Sequence, residues 1–457
     1  MIRSILKGIK WFSITEIISA VISIVVPFYL TKHIPPIEFG KLSILLTIYG
    51  LFNLIARPAF GEARVQATEE EDSTKSIDDA IFTINILRGL IFIAALLLST
   101  GPLEKYFNVS LFDLVIIMCV TAFINAFRSP QLFKLGRDLD YKKITITESV
   151  PKIANAFTSA TLAITTKDIS AILYGIVAGS TLRVIFSYLY TPYKPSITTN
   201  FKPLKKFFKF SSWVMLERIL IFLGNNIDKV FISIFGKLTI LGQYQLGKTV
   251  SYKPTQVSTN LTVNFLFPFV SKLNRTNKGK NTEHKKQLYS LIITCSIIGL
   301  AIFNSLIPNL TFILSEKWHS SLKYSSILAI SATLNFLNNT VLRGILKGQG
   351  NVSIFSKIQI FKILLTLLIS ITQFKTLGVE GIIWAYIISE LLSFLFICNK
   401  FRESFITTII FLIALCFYIY YNMNNDIFNN YIASLVLLAF ITYPVASIYN
   451  LRGKVNE

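Results

Sequence analysis

The feature that most constrains this chain is its series of long apolar blocks, such as ILRGLIFIAALLLST (86–100) and YIASLVLLAFITYPVASIY (431–449). A helix that crosses a bilayer needs about 20 mainly apolar residues. Only 15% of the 457 residues are charged, whereas soluble proteins average about 25%. The chain is therefore predicted to be an all-α protein that crosses the membrane many times.

Hydropathy predicts about fourteen transmembrane segments, and the first of them is interpreted as a membrane helix rather than a cleavable signal peptide. The segments cover residues 11–31, 40–60, 80–100, 111–128, 145–166, 169–190, 211–235, 240–270, 287–308, 324–346, 353–374, 379–399, 404–422 and 430–450. Segments seven and eight carry charges that a strictly apolar window would reject.

The loops between these segments are too short to fold as separate domains. The polar, basic stretch 191–210 is interpreted as a linker between two halves. We therefore expect an N-terminal six-helix lobe in residues 1–195, a second six-helix lobe in 196–402, and two additional helices in 403–457.

The formal charge of +21 could suggest nucleic-acid binding, but the basic residues follow a membrane pattern. They are concentrated in alternate loops, as the positive-inside rule requires when both termini are cytoplasmic. The sequence therefore predicts a multi-pass membrane protein that contacts the surrounding lipids and has both termini in the cytoplasm, with no nucleic-acid partner. The basic groups that carry this assignment lie near residues 7–10, 128–143, 202–209, 272–286, 400–402 and 452–454.

Cofactor motifs are missing from the sequence. The four cysteines are isolated within apolar runs, and the three histidines are scattered through predicted loops, so neither forms a metal-ligand pattern. GILKGQG (344–350) lacks the spacing of a nucleotide-binding loop. We therefore expect no metal, no cofactor and no direct ATP hydrolysis.

Charged residues inside predicted spans are costly and are candidates for function. Segment seven holds Glu217, Arg218 and Asp228, and helical periodicity returns the two acids to one face. Segment eight adds Tyr244, Gln245, Lys248, Tyr252 and Lys253, and the first span has a polar stripe that begins at Glu16. Adjacent acids and bases could instead be structural ion pairs.

Cations outnumber acids within the spans, and Arg57 is a further example. Guanidinium and ammonium groups compensate desolvated phosphate oxygens. This surplus favours an anionic or phosphate-bearing cargo over a cationic drug.

Three stretches resemble the polysaccharide or O-antigen flippases, the Wzx-type transporters of the MOP superfamily. These are residues 29–66, 128–150 and 208–273. The third is the most specific, because an Asp in helix seven precedes a G-x-x-x-L-G-x-Y motif, a Pro in helix eight and a later F-P pair. Those motif positions are Asp228, Gly236, Leu241, Gly242, Tyr244, Pro254, Phe267 and Pro268.

The resemblance implies fourteen helices, with two six-helix lobes around a V-shaped cavity and two extra C-terminal helices. It also implies transfer of an undecaprenyl-pyrophosphate-linked oligosaccharide from the cytoplasmic to the periplasmic leaflet by alternating access. The protein would be a secondary transporter of the bacterial inner membrane rather than an enzyme, driven by an ion gradient or membrane potential. Other polysaccharide assembly proteins are candidate partners on this interpretation. On this interpretation Arg57, Arg218, Tyr244, Lys248 and Lys253 bind substrate.

The acids Glu16, Glu217 and Asp228 are the ion-coupling candidates under the same interpretation. Two rivals belong to the same superfamily: a lipid II flippase and a multidrug or cation antiporter. A membrane glycosyltransferase or polymerase is a more distant alternative, since such enzymes carry a large extramembrane loop that this chain lacks.

An internal duplication is suggested by two near-identical words, FGKLSIL (39–45) and FGKLTIL (235–241). Their offset of 196 pairs Trp11 with a residue of the basic linker. An offset of 202 instead pairs Trp11 with Trp213 and Gly40 with Gly242. The duplication is therefore predicted to follow the offset of 202. The two near-identical segments, 39–45 and 235–241, are then six residues out of register with it.

Overall fold

The computed structural model describes residues 2–55, 75–132, 141–191, 193–276, 314–342 and 352–401, with a few isolated positions besides. These ranges contain eleven α-helices and no strand. The helices are α1 Ile2–Leu30, α2 Pro36–Ile55, α3 Lys75–Phe107, α4 Phe112–Ala126, α5 Tyr141–Thr166, α6 Ser170–Leu189, α7 Lys205–Phe235, α8 Leu238–Thr276, α9 His319–Phe336, α10 Val352–Leu377 and α11 Val379–Phe401. An all-α fold is thereby confirmed.

Each of the eleven helices overlaps one predicted segment. The segments predicted at 287–308, 404–422 and 430–450 lie outside the described residues or touch them only at isolated positions. The count of fourteen therefore stays a prediction. The end of the segment predicted at 324–346 differs from an α-helix, because a π-helical turn, Leu337–Leu342, follows α9.

Short connections join neighbouring helices where the backbone permits a tight reversal. α10 and α11 are separated by Gly378 alone, whose φ of 58° lies in the left-handed region that favours glycine. Its N–H donates to the carbonyl oxygen of Phe374 and closes the end of α10. Between α5 and α6, the carboxylate of Asp168 accepts the N–H of Ser170, which satisfies one of the unpaired donors at the start of α6.

Five helices in the described ranges are long and apolar enough to cross a membrane. They lie within α2, α3, α6, α10 and α11. On α3 the side chains of Leu90, Ile91 and Leu98 are exposed, Leu98 at 80%. Such an apolar surface is what a helix presents to lipid. The charged helices α7 and α8 are not among the five, as their hydropathy predicted.

The chain divides into two compact units, Met1–Gly242 and Gln243–Glu457. The first contains α1–α7 and the start of α8, and the second contains the rest of α8 with α9–α11. The lobe boundary predicted at residue 195 stays a prediction.

Within the first unit, α2 and the start of α8 meet in a reciprocal backbone contact. A methyl group on Gly40 would overlap the carbonyl oxygen of Leu238, and one on Gly242 would overlap the carbonyl oxygen of Pro36. An offset of 202 maps Pro36 onto Leu238 and Gly40 onto Gly242. The contact therefore has the self-complementary form of a two-fold interface, and this agrees with the duplication register of 202 rather than 196.

The linker between α6 and α7 is fastened to the start of α3. The hydroxyl of Tyr193 donates to Asp79 at 2.8 Å, and the N–H of Thr198 donates to the hydroxyl of Thr83 at 3.0 Å. Burial, followed by the hydrogen bond to Asp79, raises the pKa of the Tyr193 phenol well above its usual value. Apolar packing continues the attachment, through Ile77, Ala80, Ile81, Leu204 and Phe207.

Candidate functional site

Within the described part of the second unit, the carboxylate of Glu390 is fully enclosed by helices. This α11 residue is 0% exposed and forms an ion pair with Lys362 of α10, which is 1% exposed, at 2.8 Å. The side-chain amides of Asn335 and Asn338 donate to its two oxygens, each at 2.7 Å. A buried charge persists only when it is paired and hydrogen-bonded, and Glu390 meets both requirements.

A second buried ammonium lies beside this pair. Lys248 of α8 is 6% exposed, and its Nζ lies over three tyrosine rings, at 5.8 Å from Tyr244, 5.4 Å from Tyr252 and 5.2 Å from Tyr386. The Nζ of Lys362 lies 5.7 Å from the same Tyr386 ring. Cation–π attraction strengthens when the cation is desolvated, so Tyr386 stabilises both ammonium groups at once.

The π-helical turn after α9 contributes two asparagines, Asn338 and Asn339, to this site. Irregular turns of this kind occur often at functional positions. In this turn Asn338 contacts Glu390, and the side-chain oxygen of Asn339 accepts a hydrogen bond of 2.6 Å from the side-chain amide of Gln359. The side-chain oxygens of Asn338 and Gln359 are buried without a hydrogen-bond partner in the described structure. Asn338 thus holds Glu390 through its amide nitrogen, while its own side-chain oxygen is an unused acceptor.

The first unit contains a row of charges along α5. Lys152 forms an ion pair with Glu16 of α1, and Glu148, one turn earlier, contacts two arginines. A hydrogen bond of 2.8 Å from Thr15 to Ser149 accompanies the row. In contrast to Glu390, the Glu148 side chain is 34% exposed, so this cluster remains accessible from outside the packed helices.

The acids of α7 are buried in the first unit. Glu217 is 5% and Asp228 1% exposed, whereas Arg218 is half-buried. Their helix packs closely on α2, because a methyl group on Gly50 would lie 2.7 Å from the Phe222 ring. Both ion-coupling candidates on α7 are therefore buried, and their role stays a prediction.

A family model described as polysaccharide biosynthesis protein matches residues 30–323, well over half of the chain. The chain belongs to this family.

Relatives and structural neighbours agree with the assignment. The chain is 22% identical to the teichuronic acid biosynthesis protein TuaB of Bacillus subtilis (strain 168) over 406 residues, 86% of this chain and 81% of the relative. The lipid II flippase MurJ in an inward closed conformation has a similar fold, with a TM-score of 0.67 at 14% identity, covering 96% and 98% of the two chains.

An inward-facing multidrug resistance MATE family transporter of the MOP superfamily has a TM-score of 0.60 at 12% identity, covering 86% of this chain and 98% of the neighbour. At such identities the likeness shows the fold alone. The family match places the chain among polysaccharide biosynthesis proteins, and the resemblance predicted from the sequence motifs is confirmed at the level of that family.

The predicted site residues of this polysaccharide biosynthesis protein fall into separate groups. Glu16, Glu217, Arg218 and Asp228 belong to the first unit, and Tyr244, Lys248 and Lys253 belong to the second. The structure brings Tyr244 and Lys248 together, and it pairs Glu16 with Lys152. Arg57 lies outside the described residues. The roles assigned to all eight residues stay predictions.

Sequence reasoning missed Glu390, Glu148 and Lys152. The signal for Glu390 was present, because a lone acid in the middle of the predicted span 379–399 meets the same criterion that selected Glu217. Glu148 and Lys152 lie near the predicted cytoplasmic end of a polar span, where the sequence offers no way to tell an inward-facing charge from one that reaches the interface.

Proposed function

We propose that this family member moves an undecaprenyl-pyrophosphate-linked oligosaccharide from the cytoplasmic to the periplasmic leaflet by alternating access. The observation that carries the proposal is the match to the polysaccharide biosynthesis family in a chain whose membrane helices contain paired charges. A lipid-linked sugar brings phosphate and hydroxyl groups into the membrane, and such groups need charged and polar partners there. The protein would act as a secondary transporter rather than an enzyme.

Energy would come from an ion gradient or the membrane potential. Glu16, Glu217 and Asp228 remain candidates for ion coupling, and we add Glu390 to them because it is the acid with the lowest exposure among the described residues. Neutralising Glu390 would release Lys362 from its ion pair and change the balance of charge around Tyr386. Such a change is the kind of local electrostatic event that biases a two-state transporter.

The substrate contacts proposed from the sequence are Arg57, Arg218, Tyr244, Lys248 and Lys253. Lys248 is well suited to this role in the described structure, since its ammonium is desolvated and surrounded by aromatic faces. A multidrug antiporter would instead favour an acidic cavity. The proximity of Lys248 and Lys362 to one ring argues for an anionic cargo.

Deletion of the gene, followed by chemical analysis of lipid-linked sugars, tests the proposed function. We expect the complete oligosaccharide to accumulate on its carrier in the cytoplasmic leaflet, with loss of the surface polysaccharide. Accumulation of lipid II would favour the rival flippase. Normal surface polysaccharide in a strain without a redundant transporter would refute the proposal.

A further inference from the structure

Glu148 is held between two guanidinium groups at the end of the first unit that is predicted to be cytoplasmic. Its Oε1 lies 3.3 Å from Nη2 of Arg128, and its Oε2 lies 3.2 Å from Nη2 of Arg183. Arg128 follows α4, Glu148 is on α5 and Arg183 is on α6. One carboxylate thus occupies the space between two cations from neighbouring elements.

The register of α5 and α6 places Arg183 opposite Glu148. A methyl group on Gly175 would lie 2.6 Å from the carbonyl oxygen of Asn155, and one on Gly179 would lie 2.8 Å from that of Pro151. The two helices are therefore antiparallel and in backbone contact along a small-residue seam. Continuing this register by one turn brings Arg183 to the level of Glu148.

Arg128 is fixed in place through the residues on either side of it. The carbonyl oxygen of Phe127 accepts a hydrogen bond of 2.7 Å from the Tyr188 hydroxyl, and the N–H of Ser129 donates to the Ser187 hydroxyl at 3.0 Å. Both partners belong to α6. Both arginines are consequently positioned by α6. Arg183 is a residue of that helix, and the backbone on either side of Arg128 is hydrogen-bonded to it.

The cluster is partly exposed, unlike the sealed ion pair of the second unit. The side chains are 34% exposed for Glu148, 23% for Arg128 and 26% for Arg183. The Nε of Arg183 is buried and has no acceptor in the described structure. A guanidinium presents five N–H donors in a planar arrangement suited to phosphate oxygens, so Arg183 retains capacity for a further anion.

We propose that Arg128 and Arg183 form a binding site for the phosphate groups of the lipid-linked substrate, with Glu148 as a competing internal anion. In the absence of substrate, Glu148 occupies the arginines. An entering pyrophosphate, with more charge and more acceptor oxygens, displaces it and binds both guanidiniums. This inference rests on the proposed function, because it assigns a site to the substrate named there.

Binding of sugar-free undecaprenyl pyrophosphate to the full-length chain in phosphatidylcholine nanodiscs tests the site. Loss of charge-assisted hydrogen bonds in Arg183→Ala or Arg128→Ala is expected to weaken binding about tenfold or more. Glu148→Gln is expected to strengthen it about tenfold, because the competing charge is gone. A purely structural ion pair gives no such opposite effects.

Two further variants and two competitors complete the test. Arg183→Lys keeps the charge and is expected to weaken binding less than Arg183→Ala. Lys323→Ala removes a cation from an exposed pair in the second unit and is expected to leave binding unchanged. Inorganic pyrophosphate should compete for the wild-type site, whereas phosphatidylglycerol should compete poorly. Thermal unfolding of each variant identifies any general loss of structure.

The outcomes separate the site from the function. Unchanged affinity in folded Arg183→Ala and Glu148→Gln, with wild-type binding intact, overturns the site and leaves the proposed function standing. Equal competition by phosphatidylglycerol overturns the assignment to the carrier and indicates a site for ordinary lipid headgroups. Absence of binding by the wild type overturns the inference, and if the deletion strain also keeps normal surface polysaccharide, the proposed function fails as well.

Discussion

Replacing Lys362 by Met should destabilise the folded protein strongly, because Glu390 would remain buried without its cation. The pair is 1% and 0% exposed, with N···O at 2.8 Å, and only the amides of Asn335 and Asn338 would then compensate the carboxylate. Breaking a buried pair by removing one partner costs roughly 3–5 kcal/mol. We expect a loss of that size in the free energy of unfolding.

The chain offers a control pair with nearly the same geometry but different burial. Lys323 and Glu380 lie 2.6 Å apart with side chains that are 63% and 37% exposed. Exposed pairs contribute about 0–1 kcal/mol, so Lys323→Met should change the free energy of unfolding by no more than that. The comparison isolates burial, since the N···O distances are similar.

Unfolding of the purified chain in detergent, monitored by titration with a denaturing surfactant, measures these differences. The double variant Lys362→Met/Glu390→Leu should recover most of the stability lost in Lys362→Met, because no unpaired charge remains. If Lys362→Met proves no more destabilising than Lys323→Met, the argument that the buried Glu390 carboxylate depends on Lys362 for its stability is wrong.

Two further predictions concern the first unit. Gly242→Ala should lower the free energy of unfolding by about 1–3 kcal/mol because its methyl group would overlap the carbonyl oxygen of Pro36, whereas Gly101→Ala, with nothing within 4 Å, should be neutral or stabilising by up to about 1 kcal/mol. Equal effects in the same unfolding assay would contradict the reciprocal contact. Tyr193→Phe should lose about 1 kcal/mol through the missing hydrogen bond to Asp79. Because the folded pKa of Tyr193 is raised, its contribution is complete below the usual phenol pKa of about 10 and is lost as the pH rises toward the folded value. Unfolding measured from neutral to alkaline pH should show this step in the wild type and a smaller one in Tyr193→Phe, and identical profiles would refute it.

The fold was readable from the sequence where hydropathy alone decides it. The apolar runs predicted each of the eleven described helices, and even the charged helices α7 and α8 were located correctly. The duplication offset of 202 agrees with the contact of Gly40 with Leu238 and of Gly242 with Pro36. These features depend on local composition and on internal repetition, and both can be recognised in the linear sequence.

The pairing of charges could not be predicted in the same way. The sequence identified Lys248 as a buried cation, but only packing brings it over Tyr386, which is 138 positions away. Glu390 was missed because a single acid in an apolar run has no partner along its own helix. Its contacts come from α9, the following π-turn and α10, so the site exists only once those elements are assembled.

Transfer of lipid-linked sugar by the purified protein tests the central claim most directly. The full-length chain would be reconstituted into proteoliposomes that contain a fluorescently labelled undecaprenyl-pyrophosphate-linked oligosaccharide, and the fraction accessible to an external quencher would be followed in time. We predict that the protein accelerates exchange of the labelled lipid between leaflets over protein-free vesicles. The account would be contradicted if correctly folded protein gave no faster exchange than protein-free vesicles, both when an ion gradient or membrane potential is imposed and when none is.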